Sequence, residues 1–137
     1  MTSSFEFDPI NKVVCWRLQG QVTEDLFAES LRLVADILAE TNPTSGIIDF
    51  SQVTSFQISA ETIKRVADSK PVFPTELPRV IVAPADHVYG MARMFAALSS
   101  DTRTNVEAVR TMEEAYQLLG IKEPEFRAMG LRRKTGS

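Results

Sequence analysis

The period of the apolar positions changes several times along this chain, and each change marks an element. Phe5 to Asp8 and Lys12 to Leu18 are short runs rich in aromatic and β-branched residues, separated by Pro9, Ile10 and Asn11, which predicts a β-hairpin. In the second run Val13, Val14, Cys15, Trp16 and Leu18 put apolar groups on both faces, so the strand is expected to be central and Cys15 buried. From Thr23 the period lengthens. Phe27, Leu31, Val34 and Leu38 recur at helical spacing, while Glu29, Arg32, Asp36 and Glu40 take the opposite side. Thr23 caps that helix, and Glu24 and Asp25 sit in its first turn, where acids meet the positive end of the helix dipole.

Beyond the breaker Asn42-Pro43-Thr44-Ser45-Gly46, Ile47 to Phe50 reads as a short buried strand, and Ser59 opens a modest helix that runs to about Ser69. Pro71, Pro74 and Pro78 predict an irregular loop. Arg79 to Ala83 is a further apolar strand closed by Pro84, and Asp86 is placed to cap a helix with Val88, Met91, Phe95 and Leu98 on one stripe. Val106 to Val109 supplies the last strand. Thr111 and Glu114 form a capping box, and Gly120 stops the helix that follows. Ile121 to Ser137 mixes charge with Pro124 and Gly130, ends near Arg132-Arg133-Lys134, and reads as a tail.

The order β-β-α-β-α-β-α-β-α predicts one α/β domain over residues 1–120, followed by a tail at 121–137. Its sheet should be mixed and mostly parallel, with the hairpin as an antiparallel edge and about four helices covering it. The chain of 137 residues is long enough to bury a core, and with 44% hydrophobic and 24% charged residues it has the composition of an ordinary folded domain. A net charge of −3 offers no basic face for nucleic acid. The single cysteine excludes an intramolecular disulfide, and no Cys/His cluster has zinc-ligand spacing, so neither a metal nor another cofactor is expected. No stretch approaches the ~20 apolar residues that span a bilayer, and the N-terminus lacks a basic segment followed by an apolar run, so the expected compartment is the cytoplasm.

Two segments carry a resemblance. The first is Asp49-Phe50-Ser51-Gln52-Val53-Thr54 with a helix soon after. The second is Arg79-Val80-Ile81-Val82-Ala83-Pro84 followed by Tyr89-Gly90-Met91-Ala92-Arg93-Met94-Phe95. With the element order over about residues 5–120, they resemble the STAS domains of anti-sigma factor antagonists, in particular the SpoIIAA-like branch. The resemblance implies a STAS-like fold and a non-catalytic regulatory module, homodimeric, that docks a protein partner through residues 51–68. Signalling members of that family carry an Asp-Ser pair after the strand, and the serine is phosphorylated. Here the matching stretch is Gln57-Ile58-Ser59-Ala60, so Ile58 stands where that serine would be, and Ser59 one residue later reads as a helix cap. SpoIIAA-like sequences are also likened to SEC14-type lipid carriers, which implies an alternative, a small apolar ligand or lipid held between the Phe73 loop and the Met91 helix.

The candidate site residues fall into three sets. Asp49 and Ser51 lie at the expected carboxyl end of one strand, and Asp86 and His87 follow the next, the side on which open α/β sheets usually carry ligands. These four either line one crevice or satisfy nearby loop amides. His87 is the one side chain with an ordinary pKa near neutrality, but no motif sets a nucleophile beside it, so an enzyme acting through Asp49, Ser51 and His87 is the third-ranked alternative. Lys64 and Arg65 lie on the exposed face of the second helix and suit a partner contact. Arg93 either binds a phosphate or carboxylate or is solvated, and Met94, beside the apolar stripe of its helix, is a candidate dimer contact.

Overall fold

The chain begins with a hairpin built around one carboxylate. Strands β1 (Thr2–Asp8) and β2 (Val13–Thr23) pair antiparallel, with Phe5 opposite Trp16 and Asp8 opposite Val13. Asp8 is fully buried at the turn. Its Oδ1 accepts the amides of Ile10 and Asn11, both at 3.0 Å, and its Oδ2 accepts Asn11 Nδ2 at 2.8 Å. The same Oδ2 accepts the amide of Glu125 at 3.0 Å, which ties the far end of the chain to the first turn. Burial taken alone would raise this carboxyl, yet the donors from Asn11, Glu125 and Ile10 outweigh it and hold the group below the usual carboxylate range.

A computed structural model describes residues 2–69, 74, 76–99 and 105–129. Phe73 and the run Arg132-Arg133-Lys134 lie outside the described residues. After β2 the chain alternates α1 (Glu24–Thr41), β3 (Ser45–Gln57), α2 (Ala60–Asp68), β4 (Arg79–Val82), α3 (Asp86–Leu98), β5 (Val106–Val109), α4 (Met112–Leu119) and β6 (Arg127–Ala128). The sheet order is β5-β4-β3-β2-β1-β6. Strands β2 to β5 are mutually parallel, and β1 and β6 extend the edge antiparallel, so the fold is the mixed, mostly parallel α/β sheet that the sequence predicts.

Alternation along the strands sends side chains into two cores. Val14, Trp16, Phe50 and Ile81 face α1, α2 and α3 in the larger one. Val13, Cys15, Ile47, Val80 and Val82 face the opposite side, where Ala115, Met112 and Tyr116 of α4 cover them. The helix ends follow local chemistry. Thr23 Oγ1 accepts from Leu26 N, Asn42 closes α1 in the left-handed region, and Thr111 with Glu114 makes the expected capping box before Gly120, at φ 68, ends α4.

Four details depart from the sequence expectation. β3 does not stop at Phe50 but continues to Gln57, because β2 also runs on and pairs with it. Asp86 is the first residue of α3 rather than its cap, since Ala85 holds the cap position and Asp86 Oδ1 instead accepts from Arg110 Nη1 at 2.7 Å. Leu98 is exposed, and Ala92 takes its place on the inner side of α3. Residues 121–129, expected in a tail, belong to the packed structure: Ile121 is buried, Phe126 stacks on Tyr116, and β6 pairs with β1. Among the described residues no helix is long and apolar enough to cross a membrane.

Asp8→Asn tests the hairpin hub. A carboxyl held below its ordinary value contributes stability above that value and loses it as the pH falls. The variant is therefore expected to be less stable at pH 7 by about 1–3 kcal/mol in urea unfolding, with the gap narrowing below 3.8, the ordinary value. A gap that does not change with pH would count against this account.

Candidate functional site

Two strands outrun their neighbours. β4 pairs with β3 only from Gly46 to Asp49, and β1 reaches no further along β2 than Gln19. Beyond those points Gly20–Thr23 and Val53–Gln57 continue as a parallel ribbon. Register shifts flank Gln19 and Gly20, and Gly20 has φ 80, a conformation that costs glycine little. Because Thr23 pairs with Gln57, the helices that follow the two strands start side by side.

That adjacency brings Glu24 of α1 to the start of α2. Glu24 Oε2 accepts the Ser59 amide at 3.0 Å and the Thr62 hydroxyl at 2.8 Å, while Ser59 Oγ accepts the Thr62 amide at 3.1 Å. The hydrogen bond from the Ser59 amide, then that from Thr62, hold the Glu24 carboxyl below its usual range. Ser59 is therefore the cap that the sequence predicts. Ile58 is 2% exposed and packs in the larger core. Thr62, Ile63 and Ala67 turn α2 inward, and Lys64 and Arg65 are exposed on its outer side, next to the ribbon.

A second cluster lies at the carboxyl ends of β4 and β5. Arg110 donates to Pro84 O at 3.0 Å and to Asp86 Oδ1, and its guanidinium carbon sits 3.9 Å from the centre of the Tyr89 ring. Arg93 is exposed and 6.0 Å from the same ring. His87 is exposed in the first turn of α3, edge-on to Phe56 with ring centroids 6.0 Å apart. Met94 is half-buried against the larger core.

Asp49 is in neither cluster. It lies in the middle of β3, shares a face with Ile47, and so points toward the α4 side, whereas His87 and Phe56 belong to the other side. The crevice that would unite Asp49, Ser51, Asp86 and His87 is thus divided by the sheet. Asp49 is fully buried, and its Oδ2 accepts from Arg17 Nη1 while Oδ1 accepts the Ser51 amide at 2.9 Å. Arg17 Nη2 also donates to Glu6 Oε1 at 2.9 Å, so one guanidinium bridges two carboxylates. Asp49 does what short polar side chains do in turns, satisfying a nearby amide, and adds an ion pair within the sheet.

Cys15 and Tyr116 border this network. Burial pushes the Cys15 thiol up to about 12, with the charges of Asp49 and Glu6 adding to it and Arg17 opposing it. Burial likewise raises the Tyr116 phenol. Among the described residues no group of three or more His, Cys, Asp or Glu side chains is arranged to hold a metal ion. Sequence reasoning missed Arg17, Glu6, Glu24 and Arg110. A signal existed for Arg17, a lone cation in the apolar run Val13 to Leu18, across from a strand that carries the lone anion Asp49.

The architecture is that of a STAS-like α/β domain. A solved structure with this fold is the anti-sigma factor antagonist SpoIIAA in its unphosphorylated form, which superposes with a TM-score of 0.57 over 89% of this chain and 100% of that one, at 14% sequence identity. No protein-family profile matches the sequence, and no curated protein matches it significantly. The likeness is therefore one of fold.

Arg17→Leu leaves Asp49 buried without its cation and is expected to cost about 3–5 kcal/mol, while Arg17→Leu with Asp49→Leu should recover most of that loss. A double variant no more stable than the single one would refute the pairing. With its thiol near 12 and no exposed surface, Cys15 is expected to resist iodoacetamide at pH 8 in the folded protein and to react once urea unfolds it. Rapid labelling of the native chain would show that the site opens.

Proposed function

We propose that this chain is a regulatory module that acts by binding another protein rather than by turning over a substrate. The docking surface in this reading is the ribbon and the outer side of α2, residues 51–68, and the module works as a homodimer in the bacterial cytoplasm. The observation that carries it is the construction of that surface. Glu24 and Ser59 fix the start of α2, Ile63 and Ala67 anchor its inner side, and Lys64 and Arg65 are left outward on a rigid support. A short, pre-organised helix whose exposed side carries Lys64 and Arg65 beside Glu61 and Asp68 suits a partner with a complementary pattern of charge, since complementary charge speeds and orients docking.

Two further points support it. The fold neighbour is by name an antagonist of an anti-sigma factor, that is, a protein whose role is directed at another protein. The trio that an enzyme would need, Asp49, Ser51 and His87, is distributed over both sides of the sheet, with Asp49 already committed to Arg17 and to the Ser51 amide. For self-association, the outer side of α3 is low: a Cβ added at Gly90 would meet nothing within 4 Å, and Ala97 is exposed, so a second backbone can approach closely there.

Reversing the two charges, Lys64→Glu with Arg65→Glu, is expected to abolish association with the partner recovered by native mass spectrometry from the protein's own cells. The change should alter stability by no more than about 1 kcal/mol, because both side chains are exposed. Retention of the same partner by the folded double variant would overturn the assignment of the surface.

A further inference from the structure

Among the described residues the larger core does not close. Between α1 on one side and α2 and α3 on the other, a part-open cleft runs over the sheet in two adjoining lobes of about 120 Å³ and about 80 Å³. Trp16, Leu31, Ile48, Val66, Ile81 and Phe95 line both lobes, so the two share a wall along much of their length. Every residue lining the inner lobe is apolar, with Phe27, Phe56 and Met91 among them. The outer lobe has a different end. Ser69 and Arg79 belong to its lining, and Arg79, 9% exposed, is the one charged residue there among the described residues.

Interiors normally pack to crystal density, and a void forfeits the dispersion contacts its lining would otherwise make. An apolar cavity of about 150 Å³ in an engineered protein stays dry and takes up benzene. The cleft here is of that order, elongated, and marked by charge at one end only. A polar ligand would leave its own groups unpaired in the inner lobe, so the occupant must be hydrocarbon over most of its length. Together the two lobes exceed that engineered cavity, so they have room for a hydrocarbon chain rather than a single small ring.

We propose that the cleft is a binding site for a medium-chain carboxylate, with the hydrocarbon chain along the two lobes and the carboxylate toward Arg79. The site does not depend on the protein partner: it uses the inner side of α2, whereas the docking surface uses the outer side. Met91 lines one lobe, and α1 and β2 supply a further wall through Leu31 and Trp16; the Phe73 loop lies outside the described residues.

Trp16, the single tryptophan, lines both lobes and reports occupancy directly. Octanoate titrated into the full chain is expected to give a saturable change in Trp16 emission, and acetate none. Octanol, with the same chain and no charge, should bind at least about tenfold more weakly, the loss of a charge-assisted contact. Val66→Phe fills the space between the lobes and is expected to abolish the octanoate response while melting at or above the temperature of the parent. Ala92→Leu, at the inner lobe, provides the same test should Val66→Phe fail to fold. A linear response to millimolar octanoate, or an undiminished response in a folded filling variant, would overturn the site. An equal response to octanol would overturn the role of Arg79.

Discussion

Parallel pairing of β2 with β3 sets Val13 beside Ser45 and Thr23 beside Gln57, and nearly every other feature is hung from that register. Cys15 and Ile47 meet on the α4 side, while Trp16 and Ile48 meet on the other. A slip of one residue would exchange the two faces of β2 and carry Trp16 away from Phe27 of α1, the ring it stacks on at 5.5 Å. It would also move Arg17 away from Asp49 and leave a carboxylate with no exposed surface unpaired, a penalty of several kcal/mol. The ion pair sits one residue before the first register shift, at the point where apolar alternation stops specifying the pairing. Further along, the ribbon has bulges and polar faces, and there the contact of Glu24 with Ser59 and Thr62 holds the two strand ends together.

The parts of this fold that were legible in the sequence are those in which one local rule decides the outcome. Eighteen residues of helical period behind a capping threonine made α1 readable, and Thr111 with Glu114 made the start of α4 readable. The second half of β3 was not. Ser51 to Gln57 is mostly polar, and its strand state comes from pairing with β2, a long-range fact that no window of sequence contains. Residues 121–129 were hidden for the same reason. Pro124 and the four charged side chains of the stretch Lys122 to Arg127 obscured a segment held by Ile121, by Phe126 on Tyr116, and by one amide donated to Asp8.

The candidate site shows the same division. Ser59 as a cap and Lys64 and Arg65 as an outer face follow from helix geometry and needed no tertiary information. Asp49 is not at a strand end, because β3 continues past Phe50 to Gln57, and its side chain lies on the opposite side of the sheet from His87. Glu24 illustrates the converse. Its place in the first turn of α1 is explained by the helix dipole, yet the same carboxylate also closes the start of α2, a second use visible only once the ribbon is formed.

The two sides of the sheet are finished differently. On one, Ala115, Ile121, Met112 and Tyr116 complete the smaller core. On the other, three helices share the cover: α2 and α3 pack on each other, while α1 is joined to α2 at its first turn through Glu24. Nine residues are too few for a helix to persist on its own, so α2 depends on its tertiary contacts. Its start is tied down by Glu24, but the wall it contributes through Ile63 and Val66 borders the cleft. Filling that space adds dispersion contacts to the least supported side of α2, and on the same helix, one residue from each of those side chains, Lys64 and Arg65 face outward.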